Sequence, residues 1–435
     1  MITPYRSQSH CVTNETATRN AYGAKRLLLS WLAAFVVCAL ANVAAGRWLS
    51  RAESADFGVE STRTAASILK FGEFRDPFAP MATGPTAHVA PAYPFLYSAV
   101  VATFGTGKSA WWAIRLLTLA AYALQLALLP LLGVELGFSP RLGEVAALLG
   151  FITPLPGSSF KWEALFTGLL LVAIAYTTLR VQRSQALRTA AILGALWGVA
   201  ILFNPVVVLI FVIWNFLILR SLNVRALLVL TALMLLIIAP WILRNYQVFG
   251  TFIFIRDDMG TELAVSNNDC ASAWSLDNTR SECFARTHPN ANLQLDQRIA
   301  EIGERRFNAE RLRVALSWIS NHPLQFINLS LKRFLYFWFP VSAGGGGLAL
   351  LGTLIISVIT AASIPGLLLM HRANRVAADM LAACLVSYSL VYYLVHVNLR
   401  YRYPILWVSF MATAYLLTRC GNPSVPTSCD SRRER

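Results

Sequence analysis

Apolar runs dominate this sequence, and several approach the roughly 20 residues a helix needs to cross the hydrocarbon core of a bilayer. A chain built this way buries its backbone polar groups inside helices, since lipid offers them no partners. Composition agrees. Of 435 residues, 56% are hydrophobic and only 14% charged, against about 25% charged in a soluble domain. That excludes a disordered chain and an ordinary cytosolic enzyme. Seven cysteines in this length are too few for a disulfide scaffold. The expected class is an all-α polytopic membrane protein.

Crossings are expected near 27–49, 111–133, 142–157, 162–180, 187–203, 205–219, 225–243, 348–370, 377–396 and 403–418. Pro205 separates two of them, because proline ends or kinks a helix. The apolar stretch 91–106 is short for a span and either crosses or lies in the interface. If it lies flat, Arg180, Arg183, Arg188, Arg220 and Arg225 fall on the same side as Lys25, Arg26, Arg372, Arg375 and Arg419. The positive-inside rule favours that arrangement. It gives ten crossings within a membrane domain over 27–418, with cytoplasmic tails at 1–26 and 419–435. Two extracytoplasmic loops follow, 50–110 and 244–345. The polar stretch before Lys25 and the length of the first apolar run argue for a retained first helix over a cleaved signal. The formal charge of +15 then belongs to loops on one membrane face and not to a nucleic-acid surface. Abundant arginine and alanine fit a bacterial host, which places the chain in the cytoplasmic (inner) membrane with the acidic loops facing outward.

Most acidic residues lie in those two loops, so polar chemistry is concentrated there. In the first, Glu60 and Arg63 are three apart and share a face if 60–71 is helical, with Gly72 as its stop. This places an acid beside the membrane, and fits equally a solvated helix with an ion pair. The segment from Gly84 to Pro94 holds three prolines, which impose an extended path carrying His88 and Tyr93. Glu163 opens a crossing, as a site residue or as a partner of the helix dipole. Arg244, Arg256, Arg400 and Arg402 stand where the positive-inside rule does not want cations. Their planar forks suit phosphate, and snorkelling to headgroups is the alternative. Asp257 and Asp258 form an adjacent acid pair. Cys270 and Cys283 share a loop in an oxidising compartment and can pair there. Leu293–Ile319 is amphipathic, which fits a helix on the membrane surface or capping the bundle, and fits better still a packed connector. Phosphate-binding loops, zinc-protease motifs and nucleophile elbows are missing.

Four stretches together resemble the GT-C membrane glycosyltransferases, in the branch of the protein O-mannosyltransferases and the lipid A aminoarabinose enzymes. They are Glu60 to Ala65, Gly84 to Pro94, Pro240 to Tyr246, and Asn321-His322-Pro323 with Arg333 to Trp338 and Arg400 to Pro404. The resemblance implies a GT-C-like bundle of about ten transmembrane helices, with short amphipathic helices in its two outer loops. It implies transfer of a sugar from a polyprenyl-phosphate donor to a lipid, glycan or protein hydroxyl. Glu60 matches the family's catalytic carboxylate, although Ser61 follows it where many members have a second acid. Asp56 is the other candidate base and, with Tyr93, a pocket residue; Glu163 matches a second acidic position. A lysine that contacts phosphate in the aminoarabinose enzymes is Ala90 here. Phosphate binding then falls to Arg63, His88, Arg244, Arg256, Arg400 or Arg402. No residue is assigned to a metal, and a divalent cation stays open. The competing expectation is a transporter or flippase of lipid-linked sugars, for which Asn204-Pro205 is the one broken-helix feature.

Overall fold

The structure is a computed structural model and describes residues 24–49, 58–78, 80–153, 162–217, 221–340 and 347–420. Both tails and Asp56 lie outside the described residues. The described residues form helices and no strand; pairing is limited to two isolated bridges, Arg75 with Pro85 and Trp274 with Val397.

The long helices are α1 (Ala24–Leu49), α4 (Lys108–Glu135), α6 (Ala164–Ser184), α9 (Val224–Phe249) and α16 (Gly347–Ala373). Shorter apolar ones are α3 (Ala92–Phe104), α5 (Pro140–Ile152), α7 (Leu187–Phe203), α8 (Val207–Leu217), α17 (Arg375–Ser389) and α18 (Tyr403–Cys420). Each expected crossing therefore coincides with a helix. Among the described residues, five stretches are long and apolar enough to span a membrane: α4, α6, α9, Leu350–Ala373 and Arg375–Tyr393. At 13 residues, α3 is about 20 Å long, well short of a hydrocarbon core of about 30 Å.

Small residues let the apolar helices approach closely. Gly194 and Gly198 of α7 are one turn apart and face α9. A Cβ at Gly194 would strike the Leu230 carbonyl, and one at Gly198 would meet the Ile237 side chain. This small-xxx-small spacing brings backbones together where no water-driven hydrophobic force acts between helices. The inner helix is α18, buried without a break from Arg402 to Tyr415.

The remaining helices lie in the two polar regions. The first holds α2 (Glu60–Phe71). The second holds α10 (Met259–Ser266), α11 (Ser275–Arg280), α12 (Cys283–Thr287), α13 (Leu293–Ile302), α14 (Glu304–Asn321) and α15 (Pro323–Trp338). The amphipathic stretch is two helices, broken at Gly303, whose φ of 81° suits glycine. Its apolar face packs on protein, with Ile299 and Phe307 buried against Phe78 of the first polar region, as a packed connector does. The exposed apolar stripe lies instead on α15, where Leu324, Ile327, Leu331 and Leu335 recur at helical spacing. Cys270 and Cys283 are joined by a disulfide that staples the connection between α10 and α11 to the first residue of α12.

Candidate active site

Glu60 is the first residue of α2, where an acid favours the helix dipole. The turn is closed by Thr62, whose hydroxyl donates to the Val59 carbonyl at 3.0 Å. Gly72 ends the helix with φ 69°. Ala65, on the apolar side, packs against Tyr93 and Tyr97. This fixes the roll of the helix and leaves Glu60 at the wall of a cavity of about 550 Å³.

A second wall is the proline-rich segment, and from Thr86 to His88 each backbone N–H and carbonyl has a partner. Thr86 N–H donates to the Phe74 carbonyl at 3.2 Å, and the Thr86 carbonyl accepts from Arg244 at 2.7 Å. Ala87 N–H donates to Glu304 at 2.6 Å, and its carbonyl accepts from Asp257 N–H at 2.9 Å. His88 N–H donates to the Thr86 hydroxyl at 2.9 Å, and its carbonyl accepts from Arg256 Nε at 3.0 Å. His88 is thereby presented to the cavity on a fixed backbone. Arg244 also donates to the Phe74 carbonyl at 2.8 Å, and Arg256 pairs with Asp258. These two arginines hold the wall.

Of the acidic, basic and histidine side chains singled out from sequence, Glu60, Glu163, His88, Arg256, Asp258 and Arg400 line the cavity. The others lie elsewhere. Arg63 donates to the Asn290 side chain. Tyr93 is buried among Tyr97 and Phe166. Arg402 is buried, donating to Ser409 at 2.8 Å and lying over the Trp338 ring. Arg400 differs from every other cation at the cavity. Its guanidinium sits 3.5 Å from the centroid of Trp162 and donates to the Tyr401 hydroxyl at 3.3 Å. Among the described residues, no carboxylate comes within ion-pair distance of it. The far wall is apolar: Phe203, Pro205, Val206, Val208 and Leu209 line it where the chain breaks between α7 and α8. At the break, Asn204 accepts from Val206 N–H and donates to the Tyr388 hydroxyl at 3.0 Å.

Two groups escaped the sequence reading: Glu262 and His288. The spacing of Asp258 and Glu262, four apart around the start of α10, was a usable signal. His288 had none, since its position depends on packing between distant segments. Burial raises the Glu60 carboxyl above the ordinary range, against its own backbone N–H and the charges of Arg400, Arg63 and Arg256. Burial, with the like charge of Asp258, pushes Glu262 up to about 7. Burial holds His88 well below its ordinary value and pushes His288 down to about 3, so both imidazoles are neutral. Burial thus raises both carboxyls of the one cavity.

His88, Glu262 and His288 bring one metal-capable atom each within 4.8 Å of one another, and such donors suit a divalent cation. His288 Nδ1, however, accepts the Asn290 backbone N–H at 3.0 Å. A neutral ring bonded that way carries its proton on Nε2, leaving no free lone pair for a metal. The trio does not fit a three-ligand site as it stands.

No family model matches the sequence, and no curated protein does. Solved structures do match, all at 16% identity. The oligosaccharyltransferase AglB of Archaeoglobus fulgidus, in complex with an inhibitory peptide and a dolichol-phosphate, aligns with TM-score 0.54 over 95% of this chain and 53% of that one. The same organism's enzyme in complex with zinc and sulfate aligns with TM-score 0.51 over 88% and 48%, and its apo form with 0.52 over 91% and 51%. The likeness does not select the O-mannosyltransferase or aminoarabinose branch. The chain spans about half the length of these structures, and over that half it shares their fold.

Proposed function

We propose that this protein is a membrane glycosyltransferase that moves a sugar from a polyprenyl-phosphate donor to an acceptor hydroxyl, with inversion. The observation that carries the reading is one cavity holding a buried carboxylate, Glu60, and an arginine, Arg400, with no carboxylate among the described residues at ion-pair distance, beside an apolar wall. That combination suits a phosphate with a long hydrocarbon tail. The fold shared with AglB supports it, that protein having been solved with a dolichol-phosphate.

Glu60 takes the proton of the acceptor hydroxyl as its oxygen bonds to the anomeric carbon. The bond from that carbon to the phosphate oxygen breaks on the opposite face, and the electron pair leaves with the lipid phosphate. Arg400, pre-oriented on Trp162, meets the charge that grows there, and such preorganised stabilisation is a large catalytic contribution. Glu163, facing the same cavity, is the second carboxylate, placed to hold sugar hydroxyls. The site faces outward from a bacterial cytoplasmic membrane.

The test is release of polyprenyl phosphate from a panel of radiolabelled polyprenyl-phosphate sugars by protein in nanodiscs. Glu60→Gln is expected to lower turnover by about 10²–10⁴-fold, the worth of a positioned base. Arg400→Ala is expected to weaken donor binding at least tenfold, with Arg400→Lys restoring part of it, since lysine lacks the planar fork. The break at Asn204-Pro205 favours one second reading, a flippase of the same lipid-linked sugars. Lipid translocation that persists in Glu60→Gln, with no release by the wild type, would establish it.

A further inference from the structure

Resting on Glu60 as the base, we propose that His288 is a positioning residue whose imidazole donates from Nε2 toward the Glu60 carboxylate, orienting it and favouring its charged form. A backbone N–H can only donate, so the bond from Asn290 N–H to Nδ1 assigns the ring proton to Nε2. Nε2 lies 3.8 Å from Glu60 Oε1. Such contacts are often long without substrate and tighten when it binds. The ring has little freedom to turn. It stacks on Phe284 with centroids 4.4 Å apart and planes at 14°, meets the edge of Phe78, and is 3% exposed. Asn290, which fixes the tautomer, also takes the Arg63 guanidinium one turn beyond Glu60. One short turn therefore fastens both the base and the helix that carries it.

The need for such a donor follows from the surroundings. Arg63, Arg256 and Arg400 favour a charged Glu60, while burial and the charge of Glu262 oppose it. Asp258 and Glu163 add negative charge to the same cavity. His88 is neutral and contributes no charge. A neutral N–H donor selects the carboxylate over the acid without adding a cation that would compete for the lipid phosphate.

The experiment is the pH profile of kcat/KM for the wild type, His288→Phe and His288→Gln, each with and without EDTA. Phenylalanine keeps the stack and removes the donor; glutamine keeps a donor. The acid limb of His288→Phe is expected to move upward by about one to two pH units, the worth of a hydrogen bond to a charged group. His288→Gln is expected to fall between, with donor KM little changed in both. A uniform loss at every pH, with the limb unmoved, would overturn the proposal and leave His288 as wall. Loss of wild-type activity to EDTA, with recovery on adding a divalent cation and no such recovery in the variants, would make His288 a metal ligand instead. The Glu60 carboxyl band, from infrared difference spectra of wild type against Glu60→Gln, gives the same comparison without turnover. It separates failure of this proposal from absence of transferase activity. An identical Glu60 titration in wild type and His288→Phe sinks it either way.

Discussion

Glu304 is buried where the proline-rich wall meets α14, its oxygens engaged by Thr86 and Ala87. Burial pushes its carboxyl from about 4.5 up to about 8. The folded protein therefore keeps a proton that the unfolded chain releases. Stability from this group is full below pH 4.5, declines as pH rises, and is lost above about 8. Each pH unit of displacement is worth about 1.4 kcal/mol. Glu304→Gln can still accept from Ala87 N–H and donate to the Thr86 hydroxyl, without a buried charge. Its melting temperature above pH 8 is expected to exceed that of the wild type by several degrees, and its stability to vary less with pH. Equal melting curves at pH 9 would refute this. Residue type was a good guide to some roles and a poor one to others. Glu60 was marked by its place at the start of a short helix beside the first crossing, whereas the same helix turns Arg63 to Asn290 and away from the cavity. Arg244 and Arg256 read as phosphate cations, since nothing in a sequence shows that a guanidinium's donors will meet carbonyls from a segment some 160 residues away.

At the scale of elements, α7 and α9 depend on the absence of a side chain. Gly194→Val would drive a Cβ into the Leu230 carbonyl, which cannot turn aside as a side chain can. Overpacking of this kind costs about 1–3 kcal/mol. A lower melting temperature in detergent is the expected result, and an unchanged one would show that the helices separate without penalty. The helices themselves were legible because apolar runs between charged clusters mark them directly. The amphipathic stretch was not, because periodicity alone does not say which surface an apolar face meets. Gly303 divides it, and Phe78 from the other polar region covers its apolar side.

For the whole molecule, the sequence fits ten crossings with the cavity outward, through the distribution of arginine. Direct labelling tests this. A membrane-impermeant maleimide should modify Glu301→Cys, at an exposed position on α13, in intact cells. It should modify Arg372→Cys, exposed at the end of α16, only after permeabilisation. The reverse pattern would turn the cavity toward the cytoplasm. The site as a unit was the least legible feature, because its walls come from seven regions scattered between Val59 and Tyr401.

The wall at 86–88 is held through main-chain atoms and the Thr86 hydroxyl, and none of those bonds uses the side chain at position 88. Path and chemistry are therefore separable there. Exchanging His88 for another group would alter what the cavity presents while leaving the scaffold's course unchanged. The fold thus contains a position at which mutation can change what the cavity offers a ligand without first having to rebuild the protein.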